Sequence, residues 1–171
     1  MPGYPCCCNS EPMINSCTDF TAWRATVTQC SLTGLAFQST ACTTCLDLNG
    51  NYVLDEANAD PSPCTGVGTD QMNYVLPSPI PICFEGSDYD FTGFTLGFLC
   101  YTEDDIQYIE FILFLAHEYF VGSSGCRAIA HRVIALPATE AEISSGSLSY
   151  LAETPTPSDC LISGTVAYSF S

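Results

Sequence analysis

The residues of this chain best able to do chemistry are its twelve cysteines, and their placement decides which chemistry that is. Cys6, Cys7, Cys8, Cys17, Cys30, Cys42, Cys45, Cys64, Cys83, Cys100, Cys126 and Cys160 run from one end of the 171 residues to the other. Thiolates bind zinc, exchange disulfides or form structural bridges. Cys42-Thr-Thr-Cys45 is a C-x-x-C pair that suits all three. Zinc wants a second pair at comparable spacing, and Cys6-Cys7-Cys8 with Cys17 is not one. A redox dithiol normally opens a helix in a βαβ unit, whereas this pair runs into Asn49-Gly50. Structural disulfides are therefore the expected state, ahead of zinc and of redox chemistry, and all twelve cysteines are candidates. The adjacent N-terminal cysteines should reach different partners, because a ring closing two neighbours is strained.

Carboxylates and histidines offer less. Asp47-Leu-Asn49-Gly-Asn51 places oxygen ligands on alternate residues, but an EF-hand needs Gly at its sixth position and Glu at its twelfth, where Tyr52 and Asn58 stand. Clustered acids at Asp55, Glu56 and Asp60, or at Glu103, Asp104 and Asp105, could hold calcium without a strict motif; a solvated acidic loop is the plainer reading. His117-Glu118 begins like a zinc-protease helix, but Val121 occupies the second histidine's place and His131 is the only other histidine. No Gly-x-Ser-x-Gly elbow, phosphate loop or dinucleotide fingerprint appears. Carboxylate pairs could serve a glycosidase, yet nothing in the sequence brings two together. The expectation is a protein without catalytic centre or cofactor.

Charge narrows the partners. Nineteen acidic residues face only Arg24, Arg127 and Arg132, with no lysine, for a net charge of −16. Such a surface repels phosphate, which disfavours nucleic acid and anionic membranes and leaves basic partners open. Charged residues make up 13% of the chain, against about 25% in ordinary soluble domains, while 47% are hydrophobic. So little charge predicts burial in a homo-oligomer or symmetric assembly. The most apolar stretch, Ile106 to Val121, carries Glu110, His117 and Glu118 and falls short of the roughly 18 apolar residues of a membrane helix. The N-terminus, Met-Pro-Gly-Tyr-Pro-Cys, has neither the basic start nor the apolar run of a secretory signal. With disulfides expected, either a leader has been removed or the protein meets oxidant by release at lysis.

The elements that must position these residues read mostly as strands. Residues 1–17 are rich in Pro, Cys, Asn and Ser and predict an irregular arm; residues 18–171 predict one domain. Asp19 to Thr28 alternates with strand character through Phe20, Ala22, Ala25 and Val27. Asn49-Gly50 suits the tip of a two-residue type I′ hairpin between Leu46–Leu48 and Asn51–Leu54. Pro77, Pro79 and Pro81 make Val75 to Ile82 an edge or connecting segment. Tyr89 to Tyr101 and Ile106 to Phe120 predict a long hairpin across Thr102-Glu-Asp-Asp105. The second run also fits a helical face capped by Asp104 or Asp105, but aromatic and β-branched residues favour strand. Further strands are expected at Cys126–Leu136, Leu148–Leu151 and Cys160–Phe170. Together these predict an all-β, disulfide-stapled antiparallel β-sandwich.

Two stretches carry a resemblance. Phe20-Thr-Ala-Trp-Arg-Ala-Thr-Val-Thr28 and Cys42-Thr-Thr-Cys-Leu-Asp-Leu-Asn-Gly-Asn-Tyr-Val-Leu54 are similar to the C-x-x-C…Asn-Gly-x-Tyr-x-Leu pattern of cysteine-rich, mostly uncharacterised proteins of tailed bacteriophages and some aquatic bacteria. The resemblance implies a β-rich structural protein of a phage particle, a head decoration (cement) protein or a tail component. It would bind capsid or tail subunits, sit in the virion and become extracellular after host lysis. The rival expectation is a secreted adhesin or carbohydrate-binding module that stacks sugar on Trp23 or exposed tyrosines.

Overall fold

A computed structural model describes residues 11–35, 37–38, 50–57, 70–84, 87–118, 124–151, 161–162 and 165–171. Its body is a closed antiparallel barrel. The chain first forms β1 (Met13–Ile14), α1 (Cys17–Arg24), β2 (Gln29–Thr33), β3 (Phe37–Gln38) and β4 (Tyr52–Asp55). Four long strands follow: β5 (Gln71–Phe84), β6 (Ser87–Glu103), β7 (Ile106–Glu118) and β8 (Ser124–Ala135). Then come β9 (Ala138–Thr139), α2 (Glu140–Ser144), β10 (Ser145–Tyr150), β11 (Leu161–Ile162) and β12 (Thr165–Phe170). Round the barrel the order is β2-β4-β5-β6-β7-β8-β10-β12, and β12 returns to β2, so each barrel strand lies beside its successor.

This closure corrects the expected sandwich. The all-β, antiparallel character and a disulfide staple are present. The sheet does not split into two layers, because β10 pairs with β8 at Ser149↔His131 and β12 pairs with β2 from Ala167↔Thr33 to Phe170↔Cys30. Closing the sheet leaves it without the two open edges of a sandwich layer.

Alternation builds the inside. In β12, Val166, Tyr168 and Phe170 are buried while Thr165, Ala167 and Ser169 are exposed. The same period places Phe94, Leu96 and Phe98 of β6 opposite Leu115, Leu113 and Phe111 of β7. The β6–β7 hairpin and the strands Ser124–Ala135, Ser145–Tyr150 and Thr165–Phe170 lie where the sequence predicts them. The rival helix over Ile106–Phe120 is absent, since Ile106–Glu118 is strand. The proline-rich run lies inside β5 at an irregularity: Val75 opposes Gly93 and Ile80 opposes Phe91, so the ladder skips the residues that hold Pro77 and Pro79. Neither proline can donate to it.

The segment expected as a strand at Asp19 to Thr28 is instead largely α1. Ser16 caps this helix by accepting from the Asp19 amide at 3.2 Å, and the Asp19 carboxylate sits in the first turn, where the helix dipole favours it. Phe20, Trp23 and Arg24, at helical spacing, form the buried face, while Ala22 and Ala25 of the apparent alternation are exposed. Met13–Ile14 pairs with Thr139–Ala138 and α1 starts at Cys17, so this part of the N-terminal segment has regular structure.

Around Asn49-Gly50, Asn49 and the strand expected before it lie outside the described residues. The strand expected after it exists as β4, and its partner over Tyr52 to Asp55 is β2. Gly50 does not take a left-handed φ. That backbone occurs instead at Asp104 (φ 50°) and Asp105 (φ 62°), which join Glu103↔Ile106 in a two-residue type I′ turn.

Candidate functional site

One end of the barrel is closed by α1. Trp23 meets Phe170 edge-on at 5.5 Å, Phe20 lies 6.3 Å from Phe111, and Phe98 and Phe170 each lie 5.1–5.6 Å from Phe111. Cys100 shares the inward face of β6 with Phe98, and its sulfur is bonded to Cys17 at the first residue of α1. The Cys17 amide also donates to Gln107 Oε1 at 2.9 Å. A covalent bond, an aromatic cluster and a hydrogen bond thus hold the same plug.

Arg24 completes it. The side chain is only 6% exposed, with its guanidinium carbon 4.2 Å from the Phe98 ring centroid. Nη1 lies 2.7 Å from Glu56 Oε1 and donates to the Val27 carbonyl at 3.2 Å. Nη2 lies 2.9 Å from Asp70 Oδ1, an ion pair whose angle falls short of a hydrogen bond. Burial raises the Asp70 carboxyl above its usual range, Arg24 opposes that shift and Glu56 adds to it. A buried cation between two half-exposed carboxylates is a compensated structural charge. Beside it, Thr28, Gln29, Asp55, Glu56 and Ala57 line an open pocket of about 320 Å³.

A second arginine serves the same end of the barrel. Arg132 Nη1 donates to the carbonyls of Glu142 (3.0 Å) and Ser145 (3.2 Å) and to the Tyr168 hydroxyl, tying α2 to the wall. Gly146 leaves room for this guanidinium, since a Cβ there would displace it. The start of α2 carries a capping box: Thr139 Oγ1 accepts from the Glu142 amide, and the Glu142 carboxylate accepts from the Thr139 amide at 2.7 Å. The Thr139 amide and the Thr139 hydroxyl (3.1 Å) both donate to the Glu142 carboxylate and lower its pKa.

Of the expected bridging cysteines, Cys17 and Cys100 are joined to each other and Cys126 is disulfide-bonded. Cys30 departs from that expectation. It is a free thiol, wholly buried on the inner face of β2, and burial pushes its pKa up to about 12. Cys83 lies on β5, and its side chain is outside the described ones. Cys6, Cys7, Cys8, Cys42, Cys45, Cys64 and Cys160 also lie outside the described residues.

The acidic groups considered for calcium have other settings. Glu56 is paired with Arg24, Asp60 lies outside the described residues, and Glu103 to Asp105 form the tight turn. Among the described residues no three His, Cys, Asp or Glu side chains converge as metal ligands. His117 is on a strand, where a helical zinc motif has no footing, and His131 Nδ1 lies 3.2 Å from Glu110 Oε1. Trp23, one of the stacking residues offered for the carbohydrate reading beside the tyrosines, is buried in the plug.

Sequence reasoning did not find the Arg24–Glu56–Asp70 group or the stacked pair Tyr101–Tyr108, whose rings lie 5.6 Å apart on the β6–β7 hairpin. The scarcity of arginine was the one available signal for the first. The symmetric placement of both tyrosines about Asp104-Asp105 was the signal for the second. No protein-family profile, curated protein or solved structure matches this chain.

Proposed function

We propose that this protein is a non-enzymatic structural component of a tailed-bacteriophage particle, a head decoration (cement) protein or a tail component, which binds capsid or tail subunits and stabilises the particle. The observation that carries the reading is the bolted plug. A helix closes one barrel end and is tied to the wall by Cys17–Cys100 across 83 residues of chain, a construction suited to persistence in water outside a cell. The described acidic and basic side chains in the plug pair with each other and fix structure. Half-exposed aromatic and apolar residues on the outer wall supply docking area, the composition favoured at interface cores.

Quantitative mass spectrometry of gradient-purified particles tests this reading. The protein should copurify with intact particles in fixed ratio to a capsid or tail subunit; recovery only in the soluble fraction of the lysate would reject it.

One observation favours the rival reading of a secreted adhesin or carbohydrate-binding module. The open pocket beside Thr28, Gln29, Asp55, Glu56 and Ala57 combines a few polar side chains with a mainly apolar lining, a mixture that suits the face of a sugar ring. Selective glycan capture abolished by Gln29→Ala would favour that function over the structural one.

A further inference from the structure

Tyr101 of β6 and Tyr108 of β7 face each other across the hairpin ladder, two rungs from the rung Glu103↔Ile106 that closes the Asp104-Asp105 turn. On the adjoining rung Cys100 is bonded to Cys17 and Ile109 is buried, so the two tyrosines lie on the outer wall. Both are half-buried. Their rings stack with centroids 5.6 Å apart and planes 26° from parallel. A tight turn on one side and a disulfide on the other hold both phenols in place, and solvent still reaches them.

A second tyrosine pair differs in geometry. Tyr52 and Tyr74 lie closer, at 5.3 Å, but their planes cross at 72° and Tyr52 also packs on Phe94 at 5.0 Å. Phenoxyl radicals combine by a face-to-face approach, which brings the ring carbons ortho to the two hydroxyls together; an edge-on pair does not offer that approach. Of these two pairs only Tyr101–Tyr108 has it. Desolvation pushes the Tyr101 phenol up from its ordinary value, and Glu110 and Glu103 add to the effect. The negative field that opposes a phenolate favours removal of an electron from the ring.

We propose that Tyr101 and Tyr108 form an oxidative modification site, at which a peroxide-driven one-electron oxidant joins the two rings by a carbon–carbon bond. Each phenol gives up one electron to the oxidant and its hydroxyl proton to water, leaving two phenoxyl radicals in stacked contact. The radicals pair their unpaired electrons in a bond between the two ortho carbons. Each bonded carbon then loses its hydrogen as a proton while its oxygen regains one, which restores both aromatic phenols. The chain has lost two hydrogens in total, and one hydrogen peroxide has taken the two electrons and two protons to become two waters. The product is a dityrosine bridge across the hairpin, one rung from the Cys17–Cys100 disulfide and, unlike it, resistant to thiols. This chemistry is independent of the proposed structural role.

The test treats the full, disulfide-bonded chain in dilute solution with a haem peroxidase and hydrogen peroxide. The wild type should gain dityrosine fluorescence, lose the mass of two hydrogens and remain a single chain on a reducing gel. Proteolysis after reduction should yield one cross-linked peptide holding Tyr101 and Tyr108. Tyr101→Phe and Tyr108→Phe should each abolish that product, and because phenylalanine keeps the ring, either variant removes the chemistry while leaving the stack. Tyr74→Phe should leave the yield unchanged. Absence of an intrachain product from the wild type, a bridge mapped to Tyr52–Tyr74, or fluorescence that survives in Tyr108→Phe would each overturn the proposal.

Discussion

Asp105 shows how a single residue sets local cost in this protein. It holds φ at 62° beside Asp104 at 50°, the geometry a type I′ turn demands of both central residues. Asparagine and glycine take it readily, and aspartate less so. Asp105→Gly should therefore stabilise the protein by about 0.5–1 kcal/mol, seen as a higher urea midpoint at unchanged slope. The sequence holds an Asn-Gly pair that advertises such a turn, yet Asp104-Asp105, without glycine, carries the geometry. Here the closure of two long strands on each other outweighs the preference of the turn residues. Cys30 gives a second residue-scale test. Burial raises this thiol from its ordinary value of 9.0 to about 12, so its contribution to stability is intact below about pH 9 and is lost as pH rises from there through 12, where the unfolded thiol ionises before the folded one. Iodoacetamide near neutral pH should leave Cys30 unmodified in the native protein and label it once denaturant opens the barrel. Rapid labelling of the native protein would contradict its burial in the wall.

Among the elements, α1 matters most, and it was the least legible. Its eight residues hold Thr18, Thr21 and Trp23, which suit a strand about as well as a helix, and the capping serine sits outside the apolar pattern. Only the tertiary setting, an open barrel end that takes Phe20, Trp23 and Arg24 together, selects the helix. By contrast β6, β7, β8 and β12 were legible because burial alternates or is continuous over long runs of Phe, Ile, Leu and Val. For the Arg24 cluster the scarcity of arginine was a signal, but its partners were not legible, since Glu56 and Asp70 lie far along the chain from Arg24. The plug makes two expectations. Trp23→Ala should cost about 3–5 kcal/mol, as for other large buried aromatics. Cys17→Ala with Cys100→Ala should cost about 2–4 kcal/mol, because it frees a long loop in the unfolded chain. Denaturant titration of both variants checks this, and a change below about 0.5 kcal/mol in the disulfide-free protein would show that α1 is held by packing alone.

At the scale of the whole molecule, the barrel's polarity is informative. Phenylalanine, leucine and isoleucine fill the inside, while β10 and β12 turn serine, threonine and alanine outward, the reverse of barrels that sit in lipid with a polar lumen. The difference between sandwich and barrel lay beyond local sequence pattern, because both alternate with period two. It turns on the β8–β10 and β12–β2 pairings, which join segments distant in the chain. On the outer wall a second cluster, Phe114 and Ala116 with Ile112, Cys126 and Ala128, extends the apolar content of β7 to both faces. This answers part of the excess hydrophobicity noted in the composition, and the hairpin tip carries another part to the surface. The proposed role makes this acidic, disulfide-held barrel a building part of a virus particle. Particle-resolved electron microscopy of purified virions tests it most directly. The account predicts density for the barrel repeated at symmetry-related positions on the head or tail, with one face against a neighbouring subunit; particles of complete composition that lack such density, with the protein free in the lysate, would contradict it.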